Sequence, residues 1–576
     1  MGFLRPHCLS WVIVGLSFCF CFCAAFFPHY CLRITFLFVH VSTLQKINGR
    51  MLSKKPTLIV TTIILALFIL TRYGSRNVLG QSPAFGDKGR EPEEQLKEWL
   101  EAVEEAQTYQ CNVSETLKWL EKYELSYPLK YASRDIITKP GNGSRPSITV
   151  VDQPLFDGLE TIELEALQTP RDVDRCSEVI TLDVPRAPPH KIDASHVIFG
   201  LQTTMKRLRE TKKHLARWLP NTGARLFAIV IEKEEKMASK SSMAKLQKEF
   251  RKEGMAVTIM SPVREKDYFN QRYFSLVPVM YANRDEKTQW VVIMDDDTFF
   301  PSFRALIDEL ALHDHTQPQY IGGISEDWDA VKRYGFMAFG GAGIFLSLPL
   351  AQTVWEHNDE CKDNMRFTSG DTLVMDCVYV HSSAQLTPIS GLSQIDLMGD
   401  HSGFYENGRR VLSLHHWKAG SATLYPYEME KMHLIAEVCD DCFLQRYQFS
   451  SDVVLTNGFS VAKYPDQSLS RGIDGNLSDL AYEENRNLID LRRTEVTWDK
   501  KEMQVFHSLA PTRPPLDKEQ KRSWTFLDSF LLEDGKVVRQ VYVRRDIEGE
   551  GDHASERDEI LVLNWRDGSH LKPVLV

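Results

Sequence analysis

A chain of 576 residues is too long for one compact core at roughly 150 residues per domain. Its 43% hydrophobic and 25% charged residues exclude disorder throughout. Apolar runs long enough to span a bilayer occur only near the N-terminus, which excludes a polytopic membrane protein. The 78 acids against 68 bases leave a net charge of -10, spread along the chain, and this speaks against nucleic acid, whose binding needs a basic face.

Two apolar runs precede residue 74, at 11–27 and 57–70. The second (TLIVTTIILALFIL) follows Lys54 and Lys55 and precedes Arg72 and Arg76. Met51 opens a basic tail before it, the arrangement of a type II signal-anchor, so residues 1–50 read as a leader and 51–73 as cytoplasmic tail and membrane anchor. Six of the eleven cysteines follow the anchor (Cys111, Cys176, Cys361, Cys377, Cys439, Cys442), an even number compatible with three disulfides. Sequons at Asn112, Asn142 and Asn476 suit the same secretory compartment. Residues 74–190 read as a lumenal stem. Within it 90–107 has Leu96, Leu100 and Val103 at helical spacing on an acidic helix, a spacer or a self-association segment through which the chain could form a homo-oligomer.

From residue 191 strands and helices alternate: strand 196–201, helix 205–218, strand 225–231, helix 242–252, strand 255–260. The spacing predicts a βαβ sheet with parallel strands, and ligands on such sheets bind beyond the carboxyl ends of the strands. No glycine-rich phosphate loop follows the first strand, which disfavours a dinucleotide enzyme or a P-loop kinase. The next strand, WVVIM, ends in Asp295, Asp296 and Asp297. Three adjacent carboxylates repel one another unless a cation neutralises them, and a hard divalent ion, Mn²⁺ or Mg²⁺, is the natural partner. A solvated acidic turn is the alternative. Downstream come YIGGISE (320–326), the glycine-rich YGFMAFGGAGIFLS (334–347), Asp371 at a helix start in TSGDTLVMDCVYV (368–380), and VLSLHHW (411–417), a short strand closing in His415 and His416.

In this order the DDDTFF strand, YIGGISE, the glycine-rich segment, SGDTLVMDC, QIDLMGDHSGF and LSLHHW resemble the fringe-like β-1,3-glycosyltransferases, especially their plant and fungal group, over about residues 191–460. The resemblance implies a GT-A fold, α/β with a mostly parallel sheet, over 191–418, followed by a β-rich extension over 419–576. It implies a UDP-sugar donor, a glycan or glycoprotein acceptor, Mn²⁺ and inversion at the anomeric carbon. On these motifs Asp297 falls on the metal ligand, with Asp295 and Asp296 beside metal and ribose, and His415 or His416 completes the metal shell. Asp371 falls on the catalytic base, with Asp376 in reserve, although the usual pair of acids there is Gly370-Asp371. Gly341 and Ala342 fall beside the donor sugar, and Gln202, Thr203, Thr204 and Arg209 are candidates for the uridine or diphosphate. A protein of this kind resides in the Golgi or endoplasmic reticulum membrane with its catalytic part in the lumen. A lumenal binding protein on the same fold is the alternative function.

Overall fold

The computed structural model describes residues 112–568 except 142, 144, 176–178, 186–191, 233–235, 364–368, 419–426, 470–487, 500–506, 533–534 and 546–556. The anchor, the acidic helix at 90–107, Cys111, Cys176, Asn142 and Asn476 lie outside these residues. Among them no helix is long and apolar enough to cross a membrane.

The first of two large sheets is built from β1 (Val197–Thr204), β2 (Arg225–Ile231), β3 (Ala256–Met260), β4 (Trp290–Ile293), β5 (Tyr320–Gly322), β6 (Ile344–Ser347) and β7 (Leu386–Pro388), in the spatial order β7-β5-β6-β4-β1-β2-β3. β4, β1, β2 and β3 run parallel. β6 is antiparallel to both β4 and β5, so the sheet is mixed and not parallel throughout. The central strands are unbroken apolar runs because both of their faces are covered. Val197, Phe199 and Leu201 of β1 enter one core with Trp290 and Val292 of β4. The alternate residues Ile198, Val291 and Ile293 enter the other, as the twofold period of a strand requires.

Helices cover both faces: α1 (Met205–Leu215), α2 (Lys240–Lys252), α3 (Phe269–Phe274), α4 (Leu276–Ala282), α5 (Phe303–Leu310), α6 (Trp328–Tyr334), α7 (Leu348–Glu356), α8 (Asn358–Asp363) and α9 (Gly370–His381). Thr204 caps α1 by accepting from the Arg207 amide at 3.2 Å, which stops β1 and starts the helix at the same residue. The segment 411–417 is not a strand. It makes only isolated bridges, Leu414 to Phe299 and Ser413 to Leu392, which hold it across the end of β4.

The second sheet has ten strands and draws on both ends of the described chain. Residues Leu129–Pro140 pair in parallel with Glu559–Asp567 over nine positions, and Ile180–Val184 pair with the same N-terminal strand. The antiparallel strands Arg446–Phe449, Val453–Thr456, Ser460–Lys463, Arg522–Leu532 and Val537–Arg544 follow, and two short strands, Thr149–Val150 beside Arg446–Phe449 and Glu160–Ile162 beside Leu129–Pro140, complete it. The sequence division into a stem to residue 190 and a separate extension from 419 is therefore corrected: residues 129–184 are structural partners of the C-terminal strands. One apolar core joins the two sheets, running from Val197 and Phe199 to Val538, Tyr542, Leu563 and Trp565. Disulfides link Cys361 to Cys377 and Cys439 to Cys442.

Candidate functional site

The order of strands reverses at β1: β2 lies on one side and β4 on the other. A crevice forms beyond the carboxyl ends at such a switch point, and Gln202–Thr204 of β1 and Asp295–Asp297 after β4 meet there. The three aspartates are not equivalent. Asp296 is 5% exposed; its carboxylate accepts from Thr203 Oγ1 and from both Nε (2.6 Å) and Nη2 of Arg207. Its own carbonyl accepts from Thr211 Oγ1 and Lys418 Nζ, both at 2.8 Å. Asp296 thus anchors the turn and places two cations, Arg207 and Lys418, beside the crevice. Charge on Asp296 holds the Arg207 guanidinium above its ordinary pKa against the burial that opposes it, whereas burial lowers that of Lys418.

Asp295 and Asp297 turn the other way, toward His415. The Nε2 of His415 lies 3.4 Å from Asp295 Oδ2 and 3.2 Å from Asp297 Oδ1, while its Nδ1 is 3.0 Å from the Gln394 carbonyl. A carbonyl can only accept, so Nδ1 carries a proton, and in the neutral ring the Nε2 lone pair faces two further acceptors. Burial depresses the His415 pKa, but the two carboxylates reverse this and raise it well above the ordinary value. Burial likewise opposes ionisation of Asp297, yet His415, Lys418 and Arg207 hold its carboxyl well below the usual range. The place between these atoms demands a positive charge, and three ligand atoms within 4.8 Å of one another fit a divalent cation there. The set of two carboxylates and one imidazole suits Mn²⁺.

The structure separates the two histidines. His416 turns to the other side, with Nδ1 3.1 Å from the Ile395 carbonyl and 3.4 Å from Asp396, so of the pair His415 joins the aspartates. Gly341 is what admits it: a Cβ on Gly341 would stand 2.2 Å from His415 Nδ1. Ala342 is buried and donates its amide to Gln394 Oε1 at 2.9 Å, fastening the glycine-rich turn to the loop whose carbonyl receives His415. That loop is held in turn by Glu326, which accepts from the amides of Ile395 (2.6 Å) and Asp396 (3.3 Å). Burial, with Asp396 nearby, pushes Glu326 up to about 8.

Asp371 stands in the first turn of α9. Its Oδ2 accepts from the Gly340 amide at 3.3 Å and its Oδ1 from Ser369 Oγ and the Thr372 amide. A Cβ on Gly340 would meet the Tyr273 hydroxyl and lie 3.5 Å from Asp295 Oδ1, so this glycine, with Tyr273, stands between the aspartate of α9 and the Asp295–Asp297–His415 cluster. Burial and repulsion from Asp295 push Asp371 up to about 6. Gly370 also has its reason here: a Cβ at that position would meet the Tyr273 ring at 2.4 Å. Tyr273, from α3, fills the place of the missing acid and brings its buried hydroxyl beside Asp295 and Asp371, where burial and those charges raise its pKa. Asp376 lies five residues further along α9, about 140° around the helix from Asp371, and is not on the face that carries the base.

Arg209 is not part of the cluster. Its guanidinium turns back to the Met205 carbonyl of its own helix at 3.4 Å, on an exposed face. Arg207, two residues earlier, is the arginine of α1 that reaches the aspartates, through Asp296. Gln202, two residues before the end of β1, has its Oε1 buried and without a partner among the described residues. Sequence reasoning missed Arg207, Lys418, Tyr273, Glu326 and Gln394. Glu326 and Gln394 stand within motifs that drew attention as wholes, and an acid inside the apolar YIGGISE run was the available signal.

Solved structures overlap the chain in part. A mannosyltransferase, PcManGT, from Pyrobaculum calidifontis in complex with GDP-Man and Mn²⁺ is 11% identical over 36% of this chain and 58% of its own, with a TM-score of 0.24. The apo form of the glycosyltransferase GlyE from Streptococcus pneumoniae TIGR4 is 10% identical over 43% and 60%, TM-score 0.28. Mouse xyloside xylosyltransferase 1 is 11% identical over 34% and 85%, TM-score 0.24. The chain thus spans little more than half the length of the first two. No curated protein shows significant similarity. Residues 239–383 match the family described as Fringe-like. Residues 330–561 match a second family, described as protein of unknown function, DUF604; it takes in Asp371, His415 and much of the second sheet.

Proposed function

We propose that this chain transfers a hexosyl or N-acetylhexosaminyl group from a UDP-sugar to a hydroxyl of a glycan or glycoprotein, with inversion and in a β-1,3 linkage, and that it requires Mn²⁺. The observation that carries the reading is the juxtaposition of Asp295, Asp297 and His415 with Asp371, which accepts from the Gly340 amide and shares the buried Tyr273 with Asp295. Asp295, Asp297 and His415 would hold the ion, whose chemistry is to neutralise the diphosphate as charge accumulates on it.

The residues of the chain do the rest. Asp371 accepts the proton of the acceptor hydroxyl as that oxygen forms its bond to the sugar C1; the bond from C1 to the diphosphate oxygen breaks and UDP leaves with the electron pair. A carboxyl raised to about 6 is a stronger base than an ordinary aspartate and is still ionised at neutral pH. Arg207 and Lys418 add fixed positive charge beside the leaving group. Gln202 offers an unpartnered acceptor for an N–H of the base, and Gly341 and Ala342 form the wall that limits the donor sugar. The type II anchor at 51–73 and a Golgi lumenal location complete the proposal.

Calorimetric titration of the full chain with UDP-galactose, UDP-glucose and UDP-N-acetylglucosamine, each with and without Mn²⁺, tests it. Binding of one donor only with metal present is the expected result. Failure of a folded sample to bind any of them overturns the reading, and binding without turnover on any acceptor would make the chain a lumenal nucleotide-sugar-binding protein.

A further inference from the structure

A second group of metal-ligating side chains lies at the opposite end of α9 from Asp371, about 15 Å along the helix at 1.5 Å per residue. His357 follows the last turn of α7, Glu360 belongs to α8 and His381 ends α9. Glu360 Oε2 is 3.5 Å from His357 Nδ1 and 3.8 Å from His381 Nε2, and the three ligand atoms lie within 4.8 Å of one another. Tetrahedral Zn²⁺ with ligands at about 2.0–2.1 Å sets neighbouring ligand atoms about 3.3–3.4 Å apart, so each measured separation is within a few tenths of an ångström of what a zinc ion requires.

The frame around the group is fixed. Cys361, next to Glu360, is bonded to Cys377, which lies one helical turn before His381 on the same side of α9. The disulfide therefore ties the carboxylate to the second imidazole. It also removes both sulfurs as ligands, leaving two nitrogens and one oxygen with a fourth position for water. The imidazoles are stacked, centroids 3.8 Å apart and 12° from parallel. The Glu360 carboxylate between their nitrogens attracts a cation. His357 and Glu360 are 39% and 57% exposed, which gives an ion an entry path and lets the rings fan apart as they ligate.

The geometry points to a zinc site formed by His357, Glu360 and His381, separate from the manganese cluster and serving to clamp α7, α8 and α9 together. Borderline Zn²⁺ with imidazole ligands is the match for this set, whereas the two-carboxylate cluster suits the harder ion. The site leaves the donor crevice untouched, so its role is to hold the helix whose first turn presents Asp371.

The test uses full-length protein carrying Asp297→Ala, which silences the other cluster, titrated with Zn²⁺ by calorimetry and with Co²⁺ by visible absorption. One equivalent of Zn²⁺ and tetrahedral cobalt bands that Zn²⁺ displaces are expected, together with a rise in Tm on zinc addition. Adding His357→Ala or His381→Ala removes the equivalent, the bands and the Tm rise; the surface change Glu360→Gln weakens all three while leaving the circular dichroism unaltered. Uptake of no metal by folded Asp297→Ala protein, or uptake that persists in both histidine variants, overturns the site. Mn²⁺-dependent donor binding by protein carrying only His381→Ala reports on the other cluster and is expected to be unchanged.

Discussion

At the residue scale the site is a division of labour among carboxylates by environment. Asp296 is consumed by Arg207 and Thr203, Asp295 and Asp297 face a histidine that donates elsewhere, and Asp371 sits where burial and Asp295 raise its pKa to about 6. Asp371→Asn should keep Mn²⁺-dependent donor binding and lose transfer by about 10²–10⁴-fold, the range of general-base catalysis. Steady-state transfer with donor calorimetry on the same sample checks this, and full transfer in the variant would move the base elsewhere. The wild-type rate should fall as pH drops, because protonation removes the base. The acid limb belongs at or below about 6, since a cation on Asp295 relieves the repulsion that contributes to the raised value. A limb well above 6 would contradict this assignment. Glu326 acts at one remove: by holding the amides of Ile395 and Asp396 it fixes the loop that orients His415. Glu326→Ala should weaken Mn²⁺ binding about 10–100-fold, and Glu326→Gln, which retains an acceptor oxygen, should restore most of it. Equal loss in both variants would argue against a positioning role. Because the folded pKa of Glu326 is raised, its contribution to stability is present below its unfolded value near 4.5 and is lost as pH rises through about 8.

At the scale of elements, two glycines decide what the site can contain. Gly341→Ala places a methyl against the buried His415 ring and should abolish metal-dependent donor binding and cost about 1–3 kcal/mol of stability, the range for overpacking a filled interior. Retained binding would mean that His415 can move aside. Gly370→Ala drives a methyl into Tyr273 between α3 and α9 and should cost about 1–3 kcal/mol, the range for overpacking a filled interior, read as a fall in Tm. Much of this layer was legible in the sequence. The strand β2 (Arg225–Ile231) follows from apolar run length alone, and the ordered motifs brought Asp295, Asp297 and Asp371 together. The choice of His415 over His416 was not legible, since neighbours in sequence point apart for reasons of backbone dihedral: His416 adopts φ 52°, which turns its ring toward Asp396. Nor was Arg207 over Arg209, because both flank the buried stripe of α1 and only the placement of Asp296 selects between them.

For the whole molecule, the sequence division failed where pairing is non-local. Nothing in Leu129–Pro140 announces a partner more than four hundred positions away, and short strands with Pro and Gly between them read equally well as an approach to a domain. The structure makes them part of the sheet that backs the half carrying Asp295–Asp297 and Asp371. A chain starting at residue 191 should therefore express as aggregate or be proteolysed, whereas one starting at 112 should give a cooperative transition; a soluble, donor-binding product from 191 onward would show that the N-terminal strands are dispensable.

The same pairing sets a schedule for biosynthesis. Asp135 and Asn564, 429 residues apart, share a hydrogen bond in the finished sheet. At roughly 5–20 residues per second the first strand waits on the order of half a minute or more after its own synthesis for its partner to leave the ribosome. During that interval the edge of Leu129–Pro140 is an unpaired template that another nascent chain could occupy. Maturation of this protein is thus post-translational by topology, and yield should respond to translation rate and to chaperone supply more steeply than its stability alone would suggest.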